Sequence, residues 1–355
     1  MTFPLTILAG RTAYRTLADK GWDPALFDTL VGASGGAKLL GLGHLDRFLF
    51  TDYLQRTDHP ISLYGSSIGS WRHAALASAD PGRTLAELQY RYLNQSWADD
   101  DRRGPTAIVD ELCEWVMDGV LVEGNPESIC EHPRFTSHIV TARGRGLNGA
   151  RFKPVMGLGM GLSGAANALH RPWLSFGFQR VVFSSGETGG FTFRDFDTRH
   201  VPLSPDNVRD ALLASGSIPL LMSGRRDVAS APPGHYWDGG IVDYHFDFAN
   251  ISTEGLVLYP HFTDHVIKGW FDKPWPWRRN NAALLDRVVI VAPSSDYVSA
   301  LPHGKIPDRR DFPKMSQQER ISFWQTCLDA SEQLEAAFAD VVDGENPLHH
   351  VTELA

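Results

Sequence analysis

Apolar and polar positions along this chain group into short runs, and glycine marks where most of them end. Leu5-Thr6-Ile7-Leu8 reads as a short strand. Arg11 to Lys20 places Ala13, Leu17 and Ala18 on one side of a helix, which Gly21 closes. An Asp23-Pro24 turn leads to the strand Phe27-Asp28-Thr29-Leu30-Val31. That strand enters a glycine loop, Gly32 to Lys38, and a helix follows from Leu39 to about Phe50. The same unit then recurs. Ile61-Ser62-Leu63-Tyr64 enters Gly65-Ser66-Ser67-Ile68-Gly69, and a helix follows with Trp71, Ala74, Ala75 and Ala77 on one face.

Further helical periods cover Thr84–Trp97, Ile108–Val122 and Asn207–Ser217, and a single long one covers Ser316–Val342. Strand character returns at Ser137–Ala142, Phe178–Ser184, Leu256–Tyr259 and Val288–Val291, with a hairpin expected over Gly186–Phe196. Asp99-Asp100-Asp101-Arg102-Arg103 reads as a solvated charged loop. Met156 to Ala168 alternates glycine with Met, Leu and Ala, which fits closely packed small-residue helices or a mobile flap. Strands interleaved with helices, without a repeat or a long linker, predict one α/β domain over residues 1–355 with a largely parallel sheet.

Both glycine loops carry the pattern G-x-S-x-G, centred on Ser34 and on Ser67. A nucleophile lifted clear of a sheet needs a sharp strand-to-helix turn, where flanking side chains would clash with neighbouring backbone. The loop that precedes each serine separates the two. Ser67 is preceded by Ser34-Gly35-Gly36-Ala37-Lys38, whose adjacent glycines leave N–H groups free to converge on an oxyanion. Ser34 is preceded only by Leu8-Ala9-Gly10-Arg11, with one glycine. Ser67 is therefore the candidate nucleophile. Asp238-Gly239-Gly240 is a turn that can hold a carboxylate at a fixed angle, although Asp-Gly-Gly is also an ordinary turn sequence. The spacing of a phosphate-binding P-loop is absent.

Charge and composition narrow the partners. A net charge of -9 argues against nucleic acid. Cys113, Cys130 and Cys327 have no ligand spacing, which favours a reducing compartment without structural disulfides or zinc. No apolar run approaches the ~20 residues of a membrane span, and no basic-plus-apolar leader opens the chain, so a cytoplasmic location is expected. Trp270, Phe271, Trp275 and Trp277, interleaved with Lys268, Lys273, Arg278 and Arg279, have the composition of a membrane-interface contact. Packing of that stretch against the last helix is the alternative.

Taken together, Ser34-Gly35-Gly36-Ala37-Lys38, Gly65-Ser66-Ser67-Ile68-Gly69 and Asp238-Gly239-Gly240 resemble the oxyanion loop, nucleophile turn and Asp-Gly-Gly motif of the patatin-like phospholipase family. Ala211 to Pro219 is similar to the helix and Ile-Pro step that precede that family's catalytic Asp. The likeness covers about residues 27–245. Ser34 stands where a glycine is common, and Lys38 replaces the usual Arg. The resemblance implies a three-layer patatin-like fold, a largely parallel central sheet flanked by helices, with strands and a long helix following at 250–345.

It also implies hydrolysis of lipid or small acyl esters by a dyad. Ser67 would be the nucleophile and Asp238 the base. The N–H groups of Gly35, Gly36 and Ala37 would form the oxyanion hole, with Gly65, Gly69, Gly239, Gly240 and Lys38 in support. No metal or cofactor is required, and a peripheral membrane contact is compatible with such substrates. Two other readings stay open at this point. One is an α/β-hydrolase triad in which His245, His261, His265 or His303 completes the order Ser…Asp…His. The other is a lipid- or membrane-binding protein without activity.

Overall fold

The central strands of the chain are buried on both faces, and their sequences show it. Val288–Pro293 and Leu256–Pro260 are buried at every position, and so is Phe178–Ser184. Such near-continuous apolar runs belong to a sheet covered on two sides. The computed structural model describes residues 2–98, 100–187 and 189–354. Asp99 of the acidic loop and Thr188 of the expected 186–196 hairpin lie outside the described residues.

The strands are β1 (Leu5–Ala9), β2 (Phe27–Gly32), β3 (Ile61–Ser66), β4 (Phe135–Gly144), β5 (Phe178–Ser184), β6 (Thr198–Pro202), β7 (Arg225–Arg226), β8 (His235–Asp238), β9 (Leu256–Pro260), β10 (Val288–Pro293) and β11 (Val351–Glu353). They form one sheet in the order β11-β1-β10-β9-β2-β3-β4-β5-β6, and β8 pairs with both β4 and β7. The run β10-β9-β2-β3-β4 is parallel throughout. Antiparallel pairs enter at β1/β10, β4/β5 and β4/β8, so the sheet is mixed at its flanks and parallel at its centre. With helices flanking it, this is the expected α/β architecture.

One strand organises the site. β4 is ten residues long and pairs along one edge with β5 over His138–Gly144. Its other edge is shared. β3 runs parallel to it up to the pair Ser66↔Val140, and β8 runs antiparallel to it down to the pair Asp238↔Thr141. The ends of β3 and β8 therefore meet tip to tip against two consecutive residues of β4. Ser67 leaves one tip, and Asp238 is the other.

Several elements depart from the sequence expectation. The helix after the first glycine loop is a 3-10 turn over Gly36–Leu42 and becomes α-helical only over Gly43–Thr51. Gly36 and Gly41 make the first part a poor α-helix former. The long helix Ser316–Val342 is two helices, Gln317–Ala330 and Glu332–Val342. They part at buried Ser331, whose hydroxyl donates to the Leu328 carbonyl and accepts the His44 N–H at 3.0 Å.

The described part of the Gly186–Phe196 segment is not a hairpin. Phe191 makes a single bridge to Ile251 and stacks into the Tyr64, Phe193 and Phe246 rings, and β5 instead takes β6 as a parallel partner. The glycine-rich segment is one helix, Lys153–Leu169. A helix at Asn125–Glu131 and the short strands β6 and β11 have no counterpart in the sequence reading. Cys113, Cys130 and Cys327 are all free thiols.

Candidate active site

The turn after β3 is shaped by close backbone contact. Helix Ile68–Leu76 starts at once, and all nine of its residues are buried. Gly69 lies against Gly32 of β2: a Cβ on Gly69 would sit 2.0 Å from the Gly32 carbonyl oxygen. No side chain fits between these two backbones. Ser67 itself has φ 54° and ψ -129°, in the left-handed half of backbone space that a serine seldom adopts. Its surroundings hold it there. Its N–H donates to Ser215 Oγ at 2.8 Å, its carbonyl accepts from Ser70 Oγ at 2.6 Å, and Ser215 Oγ donates to the Val140 carbonyl at 2.7 Å. The turn that carries Ser67 is thus tied to helix Val208–Ser215 and to β4 at once.

Ser67 Oγ donates to Asp238 Oδ2 at 2.9 Å. The other carboxylate oxygen, Oδ1, accepts the Gly240 N–H at 2.7 Å, and the Asp238 N–H donates to the Ser217 carbonyl at 2.8 Å. Burial of the carboxylate pushes its pKa up to about 6, although the Gly240 and Ser67 hydrogen bonds and the charges of Arg309 and Lys273 pull the other way. Ser67 is 8% exposed and counts with Asp238 as part of a largely buried pair.

The glycine loop of β2 lies beside this pair. The Ser34 N–H donates to the Tyr244 carbonyl at 2.9 Å, and Ser34 Oγ donates to Ser66 Oγ at 3.0 Å. Gly240 packs so closely that a Cβ there would lie 2.6 Å from Ser34 Oγ and 2.8 Å from Asp238 Oδ1. The loops carrying Gly35, Gly36 and Ala37, Ser67, and Asp238 to Gly240 therefore converge. Gly65, next to last in β3, pairs with Gly32, and Gly239 begins the 3-10 turn that follows Asp238. Lys38 has its ammonium 4.0 Å from the centre of the Phe262 ring, and desolvation lowers its pKa to about 8.

The histidines downstream of Asp238 are placed elsewhere. The ring nitrogens Nδ1 of His245 and His261 accept the Ile267 and Thr263 N–H groups, and both rings are buried. His265 pairs with Asp264 at 2.9 Å, and His303 stacks edge-on against Phe323. None of the four is hydrogen-bonded to Asp238 among the described residues. Ser34 is buried and engaged with Ser66.

Four contributors to the site escaped the sequence reading. Ser70 and Ser215 brace the turn, and Tyr244 holds Ser34. Lys273 lies over the Tyr244 ring with its ammonium 3.6 Å from the centre, and its pKa falls to about 7 through desolvation and the nearby Arg309 and Lys38. Ser215 had one signal, its place in the Ala211–Pro219 stretch. Tyr244 and Lys273 had none, because their roles depend on contacts between distant segments.

The Trp270–Arg279 stretch divides. Asp272 is buried, paired with Arg171 at 2.7 Å and with Arg278 at 3.2 Å, whereas Trp277 is 74% exposed. The stretch packs against helix Lys153–Leu169 rather than against the last helix. Among the described residues no group of three or more His, Cys, Asp or Glu is arranged to hold a metal ion. No helix among them is long and apolar enough to cross a membrane.

A sequence model of the patatin-like phospholipase family matches residues 30–245, more than half of the chain, and spans the glycine loop, the Ser67 turn and the Asp238 turn. No curated protein and no solved structure matches the chain. With the parallel-centred α/β sheet and the converging loops, that match makes this chain a member of the patatin-like phospholipase family, a family of lipid acyl hydrolases.

Proposed function

We propose that this protein cleaves lipid ester bonds with a Ser67–Asp238 dyad and an oxyanion hole formed by the N–H groups of Gly35, Gly36 and Ala37. The observation that carries the reading is the direct 2.9 Å hydrogen bond from Ser67 Oγ to Asp238 Oδ2 at a strained turn, with no imidazole between them. Ser67 Oγ attacks the ester carbonyl carbon while Asp238 Oδ2 takes its proton. The carbonyl oxygen becomes an oxyanion held by the glycine loop, where each donor contributes about 3 kcal/mol. The tetrahedral intermediate collapses, the carbon–oxygen bond to the alcohol breaks, and the alcohol leaves with the proton from Asp238. Water then attacks the acyl-enzyme, Asp238 takes its proton, and Ser67 leaves with that proton restored.

A carboxylate with a pKa near 6 suits this cycle, because it is ionised at neutral pH yet a better base than a free aspartate. Lys38 steadies the glycine loop through Phe262. The direct contact supports a dyad over a triad, since the four candidate histidines face other partners.

An organophosphonate that traps serine hydrolases, followed by peptide mapping, tests the assignment. The adduct is expected on the Ser67 peptide. Ser67→Ala should lose it together with hydrolysis of a short p-nitrophenyl ester, and Ser34→Ala should still label. An adduct on Ser34, or an active Ser67→Ala variant, overturns the reading.

A further inference from the structure

The helix Lys153–Leu169 is built inside out. Its buried positions are Met156, Gly159, Ser163 and Asn167. Ser163 Oγ accepts from Asn148 Nδ2 at 2.8 Å, and Asn167 Nδ2 donates to Asp272 Oδ1 at 2.8 Å. Its leucines point the other way: Leu158, Leu162 and Leu169 are 60%, 57% and 75% exposed. Spacings of four and seven residues set these three in one stripe. A surface helix of a globular protein ordinarily does the reverse.

The apolar face extends beyond the helix. Phe152 before it and Phe176 after it are also exposed. At its far end Arg278 donates to the Asn167 and Ala168 carbonyls, which sets exposed Trp277 beside the stripe. Among the described residues, seven of the thirteen exposed large apolar side chains fall within 147–176. A concentration of that kind marks a contact surface.

Charge identifies what it contacts. From His132 to Gly186 the chain contains no Asp or Glu but seven Arg and Lys residues, in a protein of net charge -9. Arg151 and Lys153 are exposed at the start of the helix, and neither has an acidic partner among the described residues. The acids packed behind the helix, Asp195, Asp243, Asp247 and Asp272, are engaged by the inward-facing Arg171 and Arg180. An apolar stripe bordered by cations complements an anionic lipid surface. A second copy of the chain would bring Arg151 and Lys153 towards their counterparts, with no acid in residues 132–186 to offset them.

We propose that this face docks the protein on an anionic bilayer, with helix Lys153–Leu169 lying in the plane of the interface. The choice of a bilayer rests on the acyl-hydrolase reading, because a lipid hydrolase has to reach esters packed in a sheet. The Trp270–Arg279 stretch then contributes one edge of the surface through Trp277 and is not itself the whole contact.

Co-sedimentation of the full chain with vesicles tests this. Wild type is expected to bind mixed phosphatidylcholine and phosphatidylglycerol vesicles at least about tenfold more tightly than phosphatidylcholine alone. Leu158→Ser combined with Leu162→Ser should cut binding to the mixed vesicles at least about tenfold, by removing buried apolar area. Arg151→Gln combined with Lys153→Gln should abolish the preference for them. Both variants should melt at the wild-type temperature. Unchanged binding of the leucine variant, equal binding of wild type to the two vesicles, or a wild-type dimer that the leucine variant dissociates would each overturn the proposal. A protein that docks as described yet hydrolyses no ester keeps the surface and loses the hydrolase reading, so the two failures are distinct.

Discussion

Asp238 serves two opposed ends. Burial raises its pKa to about 6, which would strengthen it as the base of the proposed dyad, but the same burial disfavours the charged form such a base needs. The sign follows. A carboxylate whose folded pKa lies above its unfolded value favours folding below the unfolded pKa and loses that advantage as pH rises through the folded one. Ionised Asp238 therefore costs stability at pH 8, on the order of 3 kcal/mol. Asp238→Asn should reduce ester hydrolysis by at least about a thousandfold. The same variant should melt higher than wild type at pH 8, and the gap should close by pH 4. Wild-type kcat should rise with pH through about 6; a midpoint near an ordinary carboxylate would mean that Asp238 is not the titrating base. At this scale the sequence was informative where chemistry demands a local pattern. Ser67 and Asp238 sit in glycine turns, and those turns are short-range signals. Ser215 and Tyr244 carry no such pattern, because their parts are set by hydrogen bonds to residues 148 and 210 positions away.

Elements repeat the lesson in another form. Hydrophobic period located β2, β3, β5, β9 and β10 to within a residue or two, because strands buried on both faces must be apolar. It missed β6 and β11, one a largely exposed polar strand and the other three residues long. It also gave no hint that helix Lys153–Leu169 turns its leucines outward, since a period reports spacing and not which face is inside. The turn that carries Ser67 leaves no room for an added side chain. Gly69→Ala would force a Cβ into the Gly32 backbone, and backbone on both sides cannot yield as a side chain would. We expect a loss of about 3 kcal/mol or more in urea unfolding and a fall in kcat larger than the change in KM. A fully stable Gly69→Ala protein would show that β2 and the helix can separate at little cost.

The sheet draws on both ends of the chain. β2 is flanked by β9, from beyond the family-matched segment, and β1 is flanked by β10 and β11. Trp22 Nε1 donates to the Pro347 carbonyl at 2.9 Å, and Phe3 stacks on His350 at 3.6 Å, so the tail is also pinned by the first 22 residues. Residues 30–245 expressed alone would leave the edge of β2 bare, and that fragment should be insoluble. Deleting residues 347–355 should lower Tm without changing ester hydrolysis, because β11 is far from β4 in the strand order. The tip-to-tip meeting of β3 and β8 has a consequence in time as well as in space. Ser67 and Asp238 are 171 residues apart, and at ordinary rates of synthesis roughly 10–30 s separate their emergence. Throughout that interval the growing chain lacks the carboxylate that the proposed dyad requires. On the dyad reading, a lipid acyl hydrolase built this way is inert while it is being made, and becomes active only when β8 reaches the edge of β4.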